Sequence, residues 1–248
     1  MNYYVMTLFP EMIDSTLSHS ITGRALEKGQ IQLNSVDIRD YAQNKSRHVD
    51  DYIYGGGSGM LMQIEPVWLC YKDIMSGLPK ENTRVLYMSP QGKTFNQEMA
   101  KELSQSENLV FLCGHYEGID ERAIELINPE MVSIGDFVLT GCELPAIMMI
   151  DAITRLIPGV LGSDDSAIYE TFYEDLLECP QYTRPPEYEG LKVPEILLSG
   201  NHKLIEEWRR EQAIKRTKEL RPDMYQRFLT HNNIYDKIDD VVNDKNER

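Results

Sequence analysis

The sequence contains no run of about 18 apolar residues, the length that a membrane-spanning helix needs. The best candidate, LPAIMMIDAITRLIPGVLG, is interrupted by Asp151 and Arg155. The opening segment MNYYVMTLFPEM carries neither a basic leader nor a small-residue cleavage site, so we expect no secretory signal there. These features predict a cytoplasmic protein without a membrane partner.

Cysteine is scarce. Cys70, Cys113, Cys142 and Cys179 are too few for a disulfide scaffold, and their spacing gives no CxxC metal-binding motif. We therefore expect reduced thiols and no structural metal site.

Positive charge is also in deficit: 25 Lys and Arg face 40 Asp and Glu, a net charge of −15. This balance argues against nonspecific binding to a polyanion, which draws on summed cationic charge. Residues 203–221, KLIEEWRREQAIKRTKELR, are an exception with seven basic and four acidic side chains. Such a local basic patch can bind phosphate inside an acidic protein.

Over the first 160 residues or so, short apolar stretches alternate with amphipathic ones. The predicted strands are YYVMTLF, IQLNSVDIRDY, RVLYMS, NLVFLCG and MVSIGDFVL. The predicted helices are TFNQEMAKELSQ with Thr94 as N-cap, GIDERAIELI, and ELPAIMMIDAITRLI, which is apolar nearly all round and should be buried or lie in an interface. The alternation predicts an α/β domain with a mainly parallel sheet.

The amino-acid composition changes after residue 162. Residues 163–200 are rich in Pro, Tyr and acidic side chains, which is typical of a long connection. Helical patterns then follow in NHKLIEEWRREQAIKRTKEL, with Asn201 as N-cap, and in RPDMYQRFLTHN, before a charged tail, DKIDDVVNDKNER, that we expect to fray. The predicted domains are 1–161 (α/β), 162–200 (linker) and 201–248 (helical).

Three predicted strands end in small or polar turns: YMSPQG at 87–92, CGHYEGIDER at 113–122 and SIGDFVLTGCELPA at 133–146. Ligands of open α/β sheets bind outside the carboxyl ends of strands, where glycine lets the backbone approach them closely. None of the turns matches GxGxxG or a Walker loop, which weakens a dinucleotide or triphosphate site. A fourth glycine cluster, YGGGSGMLM at 54–62, predicts a mobile loop that closes over a substrate.

Together these segments resemble the bacterial tRNA (guanine-N1)-methyltransferase family, TrmD. The supporting strings are YGGGSGM, LCGHYEGIDER, SIGDFVLTGCELPA, IPGVLG, CPQYTRP and LLSGNH, in one order. The resemblance implies a knotted SPOUT-class α/β domain with a small all-α C-terminal domain, working as a homodimer. It further implies methyl transfer from S-adenosylmethionine to N1 of guanosine 37 in tRNA, preceded by guanosine 36. Mg²⁺ is implied as an ion that can assist.

The resemblance also implies which residues bind the methyl donor. They are Tyr87, Met88, Ser89 and Pro90 in the first turn, Gly114, Tyr116 and Glu117 in the second, and Ile134, Gly135, Asp136, Phe137, Val138, Leu139, Gly141 and Pro145 in the third. Where the family usually has two glycines, this chain has Gly141 and Cys142, so a thiol side chain is expected near the donor.

Methylation of guanine N1 requires a base near N1 and a cation or donors near O6. Alignment backwards from CPQYTRP places Glu170 at the position of the family's proposed aspartate base. The resemblance proposes Arg155 as the cation, and Glu174 is the alternative carboxylate. On the residues alone, Glu170 reads as a solvated acid of an acidic linker. For Arg155, an ion pair with Asp151 explains the residue as well as a catalytic role does.

The acidic, tyrosine-rich ribbon at 166–190 is then expected to order on RNA binding. Matching positions imply RNA contacts by Gly59, Thr171, Glu178, Gln181 and Arg184, and the basic residues of 203–221 are expected to contact the anticodon stem. An ordinary solvated helix face explains those basic residues nearly as well, and Trp208 reads best as a core residue of the C-terminal domain.

Three alternatives remain open on the sequence. The first is another SPOUT-class RNA methyltransferase, against which the ribbon and the C-terminal domain argue. The second is an RNA-binding relative with impaired catalysis, for which the change from aspartate to Glu170 is the hint. The third, a generic nucleotide-dependent α/β enzyme, lacks a phosphate loop.

Overall fold

A computed structural model describes residues 1–162 and 171–232 of the chain. The chain divides into two compact units, Met1–Asp164 and Asp165–Arg248. Glu170 and the charged tail, on which two of the sequence predictions fall, lie outside the described residues.

The first unit contains a sheet of five parallel strands in the order β2-β1-β6-β5-β7, which confirms the predicted α/β class. Its strands are β1 (Asn2–Thr7), β2 (Gln32–Asp37), β5 (Thr83–Thr94), β6 (Asn108–Leu112) and β7 (Glu130–Ser133). The central strand β6 has the sequence NLVFL and is buried at every position, as a strand covered on both faces must be. A separate antiparallel hairpin pairs β3 (Asp50–Tyr52) with β4 (Met60–Met62) and carries the glycine cluster between its strands.

Helices cover both faces of the sheet. They are α1 (Pro10–Leu17), α2 (Ser20–Glu27), α3 (Ile64–Ser76), α4 (Gln97–Leu103), α5 (Glu121–Ile127) and α6 (Glu143–Thr154). Alternate residues of β6 point to opposite faces: Leu109 and Phe111 join one core cluster, and Val110 and Leu112 join the other. One core lies among α1, α2, α4 and α6, and the other between the sheet and α3 and α5.

Three predicted strand ends were wrong by several residues. The predicted strand at 31–41 ends at Asp37, because Ile38–Tyr41 form a 3-10 helix that Asp37 caps by accepting a hydrogen bond from the Arg39 N–H. Strand β5 runs past the predicted end at residue 89, because it resumes pairing with β7 after a register shift between Met88 and Lys93. Strand β7 ends at Ser133, so residues 134–139 of the predicted strand form a loop, which Gly135 begins with a φ of 139°.

The predicted cap of α4 was also wrong. Thr94 is the last residue of β5, and the helix is capped by Asn96, whose side chain accepts a hydrogen bond from the Met99 N–H at 2.9 Å. The apolar helix α6 is mainly buried, as predicted, but Leu144 and Met148 on it are 47% and 56% exposed.

The second unit contains the helices α7 (Glu195–Leu198), α8 (His202–Leu220) and α9 (Pro222–His231). Asn201 caps α8, as predicted, by accepting a hydrogen bond from the Leu204 N–H. Within the predicted linker, β8 (Glu187–Tyr188) and β9 (Leu191–Lys192) form a short hairpin, so this unit is not purely helical. A small core of Leu176, Phe228 and Leu229 joins α9 to the residues before the hairpin.

Among the helices of residues 1–162 and 171–232, none is both long and apolar enough to span a membrane.

Candidate functional site

A cleft of about 280 Å³ opens at the carboxyl ends of β5, β6 and β7, where the three glycine-containing turns converge. Parallel strands bring their carboxyl ends to one edge of the sheet, which is why turns about 25 residues apart in the sequence meet there. The lining residues are Tyr87, Met88, Ser89, Pro90, Gly114, His115, Tyr116, Glu117, Gly118, Val132, Ser133, Ile134, Gly135, Phe137, Val138, Leu139, Thr140, Gly141, Cys142 and Pro145.

The structure brings nearly all of the predicted donor-binding residues into this cleft. Asp136 is the exception: it belongs to the third turn but is exposed and does not line the cleft. Other lining residues were not predicted, among them His115 and Thr140. Their neighbours in the strings GHYEG and LTGCELP were predicted to bind the donor. The position of His115 and Thr140 within those turns was therefore the signal that could have identified them.

The first turn is an excursion inside strand β5. Val132 of β7 pairs with Met88 before the excursion and with Lys93 after it. A side chain at Gly92 would lie 2.3 Å from the Met131 carbonyl carbon, so glycine is needed for the strand to return to its partner.

The second turn is tied to the glycine-rich hairpin. The Glu117 N–H donates to the Met60 carbonyl at 3.0 Å, and the Met62 N–H donates to the Gly118 carbonyl at 2.9 Å. Gly59, predicted to contact RNA, has a φ of 92°, and a Cβ there would lie 2.5 Å from Cγ of Glu117. The hairpin that carries the glycine cluster therefore packs directly against a wall of the cleft.

The third turn supplies apolar surface. Phe137 is 54% exposed and Val138 is 90% exposed, although both border the cleft. The turn begins with a hydrogen bond from the Gly135 N–H to Oγ of Ser133, at 3.2 Å. A Cβ at Gly135 would lie 2.7 Å from the Phe137 ring, so this glycine lets the ring fold back over its own turn.

Behind the third turn lies a buried polar chain of three residues. Oγ1 of Thr7, at the end of β1, donates to Glu143 at 2.5 Å, and Nε2 of His115 lies 2.7 Å from the other carboxylate oxygen. Glu143 is 2% exposed and is the first residue of α6. Burial acts to raise the pKa of Glu143, but the hydrogen bonds from His115 and Thr7 outweigh it, so the pKa lies below its ordinary value.

Cys142 lines the cleft, where the sequence placed it. Its thiol donates to the Met88 carbonyl at 3.3 Å. Burial raises the pKa of Cys142 to about 11, and it raises that of the neighbouring Tyr87 to about 12. Both groups are therefore neutral near pH 7, and the Cys142 thiol acts as a hydrogen-bond donor rather than as a nucleophile.

The cleft has little formal positive charge. None of its lining residues is lysine or arginine, and Glu117 contributes a carboxylate. Across the described ranges 1–162 and 171–232, no group of three or more His, Cys, Asp or Glu side chains could hold a metal ion.

The predicted catalytic residues are not brought together by the described structure. Arg155 is the C-cap of α6, and its N–H donates to the Asp151 carbonyl at 3.2 Å. Glu170 lies outside the described residues. Glu174, the alternative carboxylate, has a φ of 50° and forms an exposed ion pair with Arg210 at 3.1 Å.

The predicted RNA-binding residues of the second unit fall at two places. The Thr171 N–H donates to Oε1 of Glu178 at 3.3 Å, and the Glu178 N–H donates to Oγ1 of Thr171 at 3.4 Å. Gln181 and Arg184 line a cavity of about 810 Å³.

Arg209 of α8 lines the same cavity, and most basic residues of 203–221 are exposed. Trp208 is partly buried, and its ring lies 6.5 Å from that of Tyr182. The basic residues thus remain accessible along α8, whereas Trp208 packs within its own unit.

Comparison with known proteins gives a consistent result. A family model described as "tRNA (Guanine-1)-methyltransferase TrmD" matches residues 1–227. Curated proteins named tRNA (guanine-N(1)-)-methyltransferase are similar over nearly their whole length. That of Lachnospira eligens is 56% identical over 229 residues, 92% of this chain and 97% of the relative. That of Clostridioides difficile is 54% identical over 227 residues, 92% and 98% respectively.

Proposed function

The chain belongs to the TrmD family of tRNA (guanine-N1)-methyltransferases, and on that premise we propose that it transfers the methyl group of S-adenosylmethionine to N1 of guanosine 37 in tRNA. The observation that carries the proposal is the convergence of three predicted donor-binding turns in one cleft. A chain related to the family by sequence alone could have lost that arrangement.

The residues of the cleft fit S-adenosylmethionine. Phe137, Val138 and Leu139 offer apolar surface to an adenine, and the turns offer backbone N–H and C=O groups to its polar edge. The absence of lysine and arginine from the lining suits a ligand that carries a sulfonium and an ammonium group. When bound, the donor supplies an electrophilic methyl group attached to positive sulfur.

Removal of the N1 proton makes guanine nucleophilic and places negative charge on O6. Glu170 is the proposed base that accepts the proton, and Arg155 the proposed cation that offsets the charge on O6. A carboxylate is a weak base for guanine N1. Proton transfer to it therefore requires that a cation stabilise the negative charge that develops on O6. The methyl group then moves to the N1 lone pair, which leaves a neutral thioether.

The proposal includes the trefoil knot and the homodimer of the SPOUT class. The proposal of the knot rests on membership of the family, and the parallel sheet is compatible with it. The exposed apolar side chains of Leu144 and Met148 on α6, together with Phe137 and Val138, support the homodimer. In the proposed dimer, the cleft of one subunit meets the linker and C-terminal domain of its partner.

The RNA contacts are proposed to lie on the second unit and on the glycine-rich hairpin. The exposed basic residues of α8 offer charge to the anticodon stem, and Arg184 offers a guanidinium to phosphate. The proposal also includes specificity for guanosine at positions 36 and 37 of the tRNA, and assistance of the reaction by Mg²⁺.

The test is methyl transfer from labelled S-adenosylmethionine to tRNA transcripts with guanosine at positions 36 and 37. One control transcript has adenosine at 37 and a second has adenosine at 36. The nucleosides are separated after digestion, so that N1-methylguanosine is identified directly. Parallel reactions with and without chelator measure the part played by Mg²⁺.

We expect N1-methylguanosine in the first transcript, none in the transcript with adenosine at 37, and less in the transcript with adenosine at 36. Measurable donor binding without transfer to any transcript would overturn the enzyme assignment and favour an RNA-binding relative. Methylation of another base or position would instead indicate a different SPOUT-class specificity.

A further inference from the structure

The Glu143 carboxylate lies immediately behind the wall of the cleft. A Cβ built on Gly141, which lines the cleft, would be 2.8 Å from Oε2 of Glu143 and 2.7 Å from Nε2 of His115. Only the backbone of Gly141 therefore lies between the Glu143 carboxylate and the cleft at this point. His115, its hydrogen-bond partner, borders the cleft itself.

The surroundings of Glu143 favour its charged form. Thr7 donates to one oxygen at 2.5 Å, and the other lies 2.7 Å from His115 Nε2. Glu143 also stands at the first position of the 12-residue helix α6, where the helix dipole favours negative charge. An ionised carboxylate only accepts hydrogen bonds, so the Thr7 hydroxyl and Nε2 of His115 both suit the charged form of Glu143.

No lysine or arginine of the cleft lining competes for this charge. We propose that Glu143 is a specificity-determining residue whose charge favours the cationic methyl donor over the uncharged thioether product. The inference rests on the proposed function, since it takes S-adenosylmethionine as the donor. The donor has one more positive charge than the product, so a fixed negative charge behind the wall favours binding of the first and release of the second.

The size of the effect follows from Coulomb's law. A unit charge about 8–10 Å away, at an effective dielectric constant of about 20, changes affinity by roughly 15–30-fold before ionic screening, and by about tenfold once screening is included. The discriminating quantity is the ratio of the product's dissociation constant to the donor's. A residue that acts only by shaping the cleft changes both constants together and leaves the ratio unchanged.

The experiment measures calorimetric binding at pH 8 of three ligands to the full chain: S-adenosylmethionine, S-adenosylhomocysteine, and an analogue with a protonated amine in place of the sulfonium. The test variant is Glu143→Gln, which keeps the size and hydrogen-bonding capacity of the side chain. Thr7→Val disturbs the same buried chain without removing its charge. Glu11→Gln removes an exposed carboxylate of α1, where solvent screens the charge.

For Glu143→Gln we expect the donor and the amine analogue to bind roughly tenfold more weakly, while the product changes by less than about twofold. Thr7→Val should weaken the binding of all three ligands by the same factor. Glu11→Gln should leave the ratio of the product's dissociation constant to the donor's unchanged. An unchanged ratio in Glu143→Gln, at whatever affinities, overturns the proposal.

A second variant covers the case in which Glu143→Gln does not fold. His115→Lys places a cation beside Glu143 and neutralises the pair, so the ratio should fall in the same way. Wild-type protein that binds none of the three ligands would contradict the proposed donor itself. Failure of the function and failure of the charge effect are therefore distinguishable.

Discussion

The imidazole of His115 occupies the space in which a side chain at position 141 would begin. A Cβ on Gly141 would lie 2.2 Å from Cε1 of His115, far inside van der Waals contact. The ring cannot easily yield, because its Nε2 is hydrogen-bonded to the buried Glu143. Position 141 therefore requires glycine, whereas the neighbouring position tolerates Cys142.

Gly141→Ala should raise the Michaelis constant for the donor by about tenfold or more and lower the melting temperature. The added methyl group must displace either the third turn or the His115–Glu143 pair, and overpacking of this kind costs about 1–3 kcal/mol. Steady-state kinetics with varied donor and thermal unfolding measure the two effects. Gly77→Ala is the matched control, because a Cβ there meets nothing within 4 Å.

The double variant Gly141→Ala, His115→Ala gives a further check, since removal of the ring makes room for the methyl group. Its donor affinity should recover partly towards that of His115→Ala alone. Strictly additive losses would show that the contact is not the cause.

Glu170→Gln should lower the rate of methyl transfer by about 100-fold or more, because removal of a positioned general base typically costs that much. Glu174→Gln should lower it by less than about threefold, since Glu174 forms an exposed ion pair with Arg210. Single-turnover transfer to a tRNA transcript measures both. The reverse ranking of the two variants would make Glu174 the base.

Alkylation of Cys142 should be slow at pH 7 and should keep accelerating as the pH rises beyond 9. Burial raises the pKa of its thiol to about 11, so the reactive thiolate is still a minor species at pH 9. Iodoacetamide labelling between pH 7 and 10, read by peptide mass spectrometry, measures the rate. A rate that levels off below pH 9 would mean that the thiol is not shielded as the structure indicates.

Asn96→Ala should reduce the free energy of unfolding by about 1 kcal/mol, because it removes the side chain that caps α4. Thr94→Ala should have a much smaller effect, since Thr94 is an exposed residue at the end of β5. Denaturant titration of both variants compares them. Equal losses would show that the cap does not act through Asn96.

The sequence predicted what depends on local pattern. The buried run NLVFL identified β6, and Asn201 identified the start of α8. It failed where a distant contact decides the outcome. Strand β5 continues beyond residue 89 because Val132 of β7 is there to pair with Lys93, a relation invisible in the residues of β5 themselves.

The buried polar chain was missed for the same reason. Thr7 and Glu143 are separated by 136 positions, and Glu143 by 28 from His115. Nothing in ELPAIMMIDAIT marks its first residue as buried, because a glutamate at a helix start is ordinarily a solvated one. The resemblance to known enzymes named the turns of the cleft, but not the side chains that hold them from behind.

The double pairing of Val132, with Met88 on one side of the first turn and Lys93 on the other, bears on how quickly the cleft can accept a ligand. Both ends of the turn are anchored at one point of the sheet, so the span it must close is fixed before any ligand arrives. Little conformational entropy remains to be lost on that side. Association with the small ligand should therefore be a single fast step there, and slower kinetic phases should originate in the glycine-rich hairpin instead.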